Sequence, residues 1–81
     1  MGFLYVYILE STSNPGRFYT GRTEVLHEGL KKHNAGEVPH TAKYKPWRIK
    51  TAAAFSDKSR ATTFEHYLKS ASGRAFAKKH L

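Results

Sequence analysis

The chain has six Asp and Glu residues, and only one stands where a carboxylate does chemistry. Glu10, Glu24, Glu28 and Glu37 fall at turns, helix starts or exposed faces, and Asp57 reads as a helix cap. Glu65 lies four residues after Ala61 and three before Leu68, on the edge of an apolar helical stripe. A carboxylate facing a sheet is costly unless it is paired or binds a cation. Two readings stand: a single-carboxylate site for a divalent ion such as Mg2+ or Mn2+, or an i,i+4 pair with Lys69 on a solvated face. One acid argues against paired-acid glycoside hydrolysis and against two-metal nucleases, which need several. It suits a one-metal phosphodiesterase, in which the ion neutralises charge on the scissile phosphate.

Tyrosine and histidine are the other candidates. Tyr5 and Tyr7 share one face of a strand, and Tyr19 and Gly21 share a face of its partner. A tyrosine close to a metal ion loses its proton more easily and can act as a general base. The competing reading is packing, since aromatic residues favour strands. His33 falls on the inward stripe of a helix, as a satisfied core residue or as a catalyst. His27, His66 and His80 lack ligand-like spacing and there is no cysteine, which argues against a zinc centre. Lys43, Lys45, Arg48 and Lys50, with Tyr44 and Trp47 among them, form the densest basic-aromatic segment, a mixture suited to phosphate contacts and base stacking.

The elements that must position these groups follow from pattern. Phe3 to Leu9 is continuously apolar, aromatic and β-branched, as in a strand covered on both faces. Ser11 to Gly16 is a turn cluster, and Arg17 to Arg22 the returning arm of a hairpin. Thr23 is the expected N-cap of a helix whose inward stripe is Leu26, Gly29, Leu30 and His33, with Gly36 in its C-cap region. Residues 37–46 read as polar and irregular, and residues 47–55 as a third strand. Ser56 or Asp57 caps a second helix to about Ser70. Ser72 and Gly73 are expected to break it before a short last helix to His80. This order, ββα-β-αα, predicts a single α+β domain over residues 1–81, a three-stranded antiparallel sheet flanked by helices.

Charge bounds the partners. The chain of 81 residues carries a net +8, and all of the excess lies after Glu37, where ten basic residues meet two acidic ones. Such a surface attracts polyanions by counterion release, nucleic acid above all. The longest apolar run is far too short to span a bilayer and lacks the flanks of a secretory signal, so the expected location is the cytoplasm, without a membrane partner.

Tyr5-Val6-Tyr7, Tyr19-Thr20-Gly21, Leu30 to Gly36, His40 to Tyr44 and Phe64 to Lys69, in this order and spacing, resemble the GIY-YIG nuclease family. More narrowly they resemble its small stand-alone bacterial members, the UPF0213-like predicted endonucleases, over nearly the whole chain. The resemblance implies metal-dependent cleavage of DNA phosphodiester bonds. It implies Tyr7 as general base, Tyr19 as a second active-site tyrosine, His33 as an assisting group near the phosphate and Glu65 as the ligand of Mg2+ or Mn2+. One position departs from the pattern. Gly29, eight residues beyond Gly21, stands where the family keeps an arginine that stabilises charge on the phosphate. Arg22 is the candidate substitute, although alternation places it on the strand face opposite Tyr19.

Three functions are therefore in view. The first is a GIY-YIG-type DNA endonuclease of low or impaired activity, and the second a non-catalytic DNA-binding module using Lys43, Lys45, Arg48 and Lys50. The third is an RNA-binding or general polyanion-binding protein. No appended DNA-recognition domain is visible, so high sequence specificity is not expected, and a partner protein could supply it.

Overall fold

A computed structural model describes residues 2–81 and places one antiparallel sheet at the centre of the chain. Its strands are β1 (Leu4–Ser11), β2 (Phe18–Thr23) and β3 (Trp47–Phe55), in the order β2-β1-β3. The central strand is the one whose sequence is apolar without interruption: Val6, Tyr7, Ile8 and Leu9 are all buried. Helices α1 (Leu26–Asn34) and α2 (Pro39–Ala42) lie between β2 and β3, and α3 (Lys58–Lys69) and α4 (Ala71–His80) follow β3. Among the described residues no helix is long and apolar enough to cross a membrane.

Because side chains alternate along β1, each face of the sheet has its own core. Val6 and Ile8 pack with Ala61 and Leu68 of α3, joined by Phe55, Phe64 and Ala77. Tyr7 and Leu9 pack on the other face with Trp47, Tyr19, Leu26, Leu30 and Tyr44. The α+β architecture expected from the sequence is thus present, with α3 and α4 under one face and α1 and α2 over the other.

The hairpin joining β1 and β2 closes with Ser11 N–H donating to the Arg17 carbonyl at 2.9 Å, and Gly16 takes the left-handed φ of +95°. Gly36 does the same after α1, with φ +76°. Asp57 caps α3 as expected, accepting from the Ser59 and Arg60 amides at 2.9 and 3.2 Å.

Three boundaries differ from expectation. Thr23 is the last residue of β2 rather than the N-cap of α1, which starts at Leu26 behind Val25 without a side-chain cap. The Thr23 hydroxyl instead accepts from the Val25 amide at 3.2 Å, bracing the corner. The segment read as irregular contains α2, opened by Pro39 at a position where a missing N–H costs nothing. The break after α3 falls at Ser70, in extended backbone, not at Ser72 and Gly73. Ser70 caps α4 by accepting from the Gly73 amide at 3.1 Å.

Candidate active site

Tyr7, Tyr19 and His33 converge at the β2 side of the upper face. Tyr7 lies opposite Gly21 in the β1-β2 register, and its ring runs across that glycine. A Cβ at position 21 would stand 2.8 Å from the Tyr7 hydroxyl and 2.9 Å from Tyr19 Cε2, so only glycine lets both rings settle there. The Tyr7 and Tyr19 ring centroids are 6.4 Å apart, and Tyr19 lies 4.6 Å from the His33 ring.

The histidine arrives from α1, where Leu26 and Leu30 share its face. It is buried, 3% exposed. The Tyr7 hydroxyl lies 3.1 Å from His33 Nε2, and His33 Nδ1 lies 2.8 Å from Thr41 Oγ1. Thr41 Oγ1 also reaches the Val38 carbonyl oxygen at 3.3 Å, which can only accept. In the arrangement in which the Thr41 proton goes to Val38, Thr41 accepts from His33 Nδ1–H. That leaves Nε2 free to accept the Tyr7 proton. Burial holds the imidazole below its ordinary value, which keeps it neutral in this role. Burial first, then Tyr19 and Glu65, push the Tyr7 phenol up to about 12.

Two further contacts fix this corner. Asn34 clamps the start of β3, accepting from the Trp47 amide at 2.5 Å and donating to the Trp47 carbonyl at 3.0 Å. Trp47 Nε1–H donates to the Thr41 carbonyl at 3.0 Å. The end of α1, all of α2 and the first residue of β3 are thereby tied into one support for His33.

Glu65 approaches from α3 on the other face. It is 4% exposed, and each oxygen has a cationic partner: Arg22 Nη1 on Oε1 and Lys69 Nζ on Oε2 at 2.8 Å. Burial pushes the carboxyl upward, but Lys69 and Arg22 together outweigh it and hold it below the ordinary carboxylate value. The i,i+4 pair with Lys69 exists, yet on a buried carboxylate rather than on a solvated face. Arg22 sits opposite Val6, across the strand from Tyr19, as alternation requires. Among the described residues no three His, Asp or Glu side chains gather to hold a metal ion. A single carboxylate is within what Mg2+ uses when phosphate and water supply its other ligands. Glu65 fits that pattern once Lys69 or Arg22 yields an oxygen.

Gly29 carries no side chain toward this site. A Cβ there would lie 3.2 Å from Thr23 Cγ2, and a cavity of about 190 Å3 opens beside it, lined by Thr23, Glu24, Glu28 and Lys32.

The four basic residues of the 43–50 segment divide between the faces. Lys43 lies over the Tyr44 ring at 5.2 Å, and Lys45 Nζ lies against Gly36. Arg48 is bound to Glu10 at 2.5 Å, and Lys50 reaches over the Phe18 ring at 5.8 Å. Glu10 and Phe18 face one another across β1 and β2, one residue out of step with Leu9 and Tyr19 and so on the other face. A shift in the β1-β3 register between Ile8 and Leu9 falls at Lys50, which has no Cα partner there. Thr41 was not foreseen as a site residue; its signal was Pro39, which starts the short helix that presents it.

A sheet glycine crossed by two tyrosines, one of them bonded to a helix histidine, stands on a small α+β fold. Residues 3–79 match the GIY-YIG catalytic domain. The chain belongs to the GIY-YIG nuclease family. It is 37% identical over 71 residues to a UPF0213 protein of Halalkalibacterium halodurans, a match covering 86% of this chain and 73% of that protein. No solved structure matches it.

Proposed function

We propose that the chain is a DNA endonuclease that hydrolyses phosphodiester bonds with a divalent metal, slowly, because Gly29 offers no cation to the phosphate. The observation that carries this reading is the chain of hydrogen bonds Tyr7–His33–Thr41. A phenol held at about 12 is protonated near neutrality and cannot take a proton from water unless it passes its own on. The neutral Nε2 of His33 is 3.1 Å away to receive it. In the proposed step, water oxygen attacks phosphorus while a water proton goes to the Tyr7 oxygen. The Tyr7 proton passes to His33, and the leaving oxygen departs with its bond pair.

Glu65 is the residue that would hold Mg2+ or Mn2+, and the ion would supply positive charge at the scissile phosphate. Arg22, whose side chain is 41% exposed, is the protein cation able to turn from Glu65 toward the substrate. Losing a preorganised cationic donor typically costs about 10²–10³ in rate, which sets the expected handicap of Gly29. A second reading, a DNA-binding module without turnover, is favoured by that same glycine and by the two cations already seated on Glu65.

Incubation with branched, nicked, single-stranded and duplex DNA, in Mg2+ or Mn2+, separates the two readings. Slow cleavage is expected, reduced about 10²-fold or more in Tyr7→Phe and in Glu65→Gln, and raised in Gly29→Arg. Because Thr23 Cγ2 crowds position 29, Gly29→Arg is best combined with Thr23→Ser. Binding without cleavage, with activity appearing only after Gly29→Arg, would establish the module and remove the endonuclease reading.

A further inference from the structure

Beside Tyr19, on the same face as Tyr7, lies a groove of about 410 Å3. That volume is within the range of small-ligand pockets, about 300–1,000 Å3. Its lining includes Arg17, His40, Lys43, Tyr44 and Trp47, and no carboxylate. Arg17 holds its guanidinium 4.7 Å from the Tyr44 ring centroid, and His40 lies 6.5 Å from the Tyr19 ring. Neither Arg17 nor Lys43 has an acidic partner within 4 Å among the described residues. The hairpin behind Arg17 is pinned, because Ser11 Oγ donates to the Tyr44 carbonyl at 2.5 Å and accepts from the Asn14 amide at 2.9 Å. The groove is therefore built, cationic and aromatic, and it opens at the candidate active site.

We propose that this groove seats one nucleotide whose base has left the double helix, stacked on the Arg17 guanidinium that lies over the Tyr44 ring, with its phosphate near Lys43. Aromatic rings and guanidinium planes are the surfaces on which unpaired bases stack, and uncompensated cations neutralise the attached phosphate. A base inside a duplex has both faces covered by its neighbours, so a base that stacks on the protein here must be extruded, as in enzymes that flip their target. The proposal rests on DNA being the substrate, and deepens that reading by naming the nucleotide form bound beside the tyrosines.

The test is binding in EDTA, where cleavage plays no part, followed by anisotropy of labelled DNA and by fluorescence of the chain's single tryptophan, Trp47. Three duplexes of one sequence serve as probes: fully paired, with one bulged nucleotide, and with the same bulge made abasic. The bulged duplex is expected to bind about tenfold more tightly than the paired one and to quench Trp47, and the abasic bulge to lose both effects. Tyr44→Ala and Arg17→Ala should abolish the tenfold difference and leave the paired duplex within about twofold. Lys79→Ala, on α4, should leave the difference intact. Arg17 is exposed, so its variant carries the test even if Tyr44→Ala unfolds. Equal binding of the abasic and base-bearing bulges would overturn the proposal, because a kinked backbone would then suffice. So would equal binding of paired and bulged duplexes. Absence of cleavage elsewhere, with this discrimination intact, would fail the endonuclease reading alone.

Discussion

His33 is neutral because its surroundings disfavour the charged ring, and that has a sign in stability. Burial lowers its folded value beneath the ordinary 6.5, so the unfolded chain binds a proton more readily than the folded one. Its contribution is fully present above the unfolded value and is lost as pH falls through 6.5 toward the lower folded value. Urea unfolding is therefore expected to show a stability that declines from about pH 7.5 to about pH 5.5, and less steeply in His33→Gln. An equal slope in both proteins would mean that His33 titrates freely in the fold. The residues of this corner were unequally legible in the sequence. Tyr7, Tyr19 and His33 could be placed by strand alternation and helical spacing. Thr41, whose hydroxyl lies 2.8 Å from His33 Nδ1, could not, because nothing local distinguishes its hydroxyl from that of any exposed threonine. Its role exists only once α2 folds back on α1.

At the scale of elements, the junction of α3 and α4 is the part most sharply limited by packing. A Cβ on Gly73 would stand 1.8 Å from the Tyr67 carbonyl oxygen and 2.7 Å from Leu68 Cα. Both are backbone atoms, so no rotamer change relieves the clash, and α4 would have to move away from α3. Gly73→Ala is expected to cost about 1–3 kcal/mol or more, the range of overpacking at well-packed sites, read as a lower urea midpoint. Gly2→Ala, with nothing within 4 Å, is the control and should leave the midpoint unchanged. The glycine was visible in the sequence but was read there as a helix breaker. Its actual cause is the close approach of two helices, which no local pattern encodes, while the break itself is set by Ser70. The strands were legible to within a residue or two because their apolar content is dictated by burial on one face or both. Residues 37–46 were not, since a four-residue helix has too few turns to display a period.

Across the whole molecule, net charge overstates what is available to a polyanion. Arg48 is spent on Glu10, Lys58 on Glu24 and Lys69 with Arg22 on Glu65, whereas Lys43, Lys45 and Lys50 have no acidic partner within 4 Å among the described residues. A cation already neutralised inside the protein displaces no counterion from DNA when it docks, so it adds nothing to the salt dependence of binding. Each free cation that touches a phosphate contributes about one unit to the slope of log K against log salt. Duplex affinity measured across a salt series is thus expected to lose about one unit of slope in Lys43→Ala and none in Arg48→Ala. Glu10→Gln, which releases Arg48, should steepen the slope instead. If Arg48→Ala flattened the slope as much as Lys43→Ala, the Arg48–Glu10 pair would have to open on DNA.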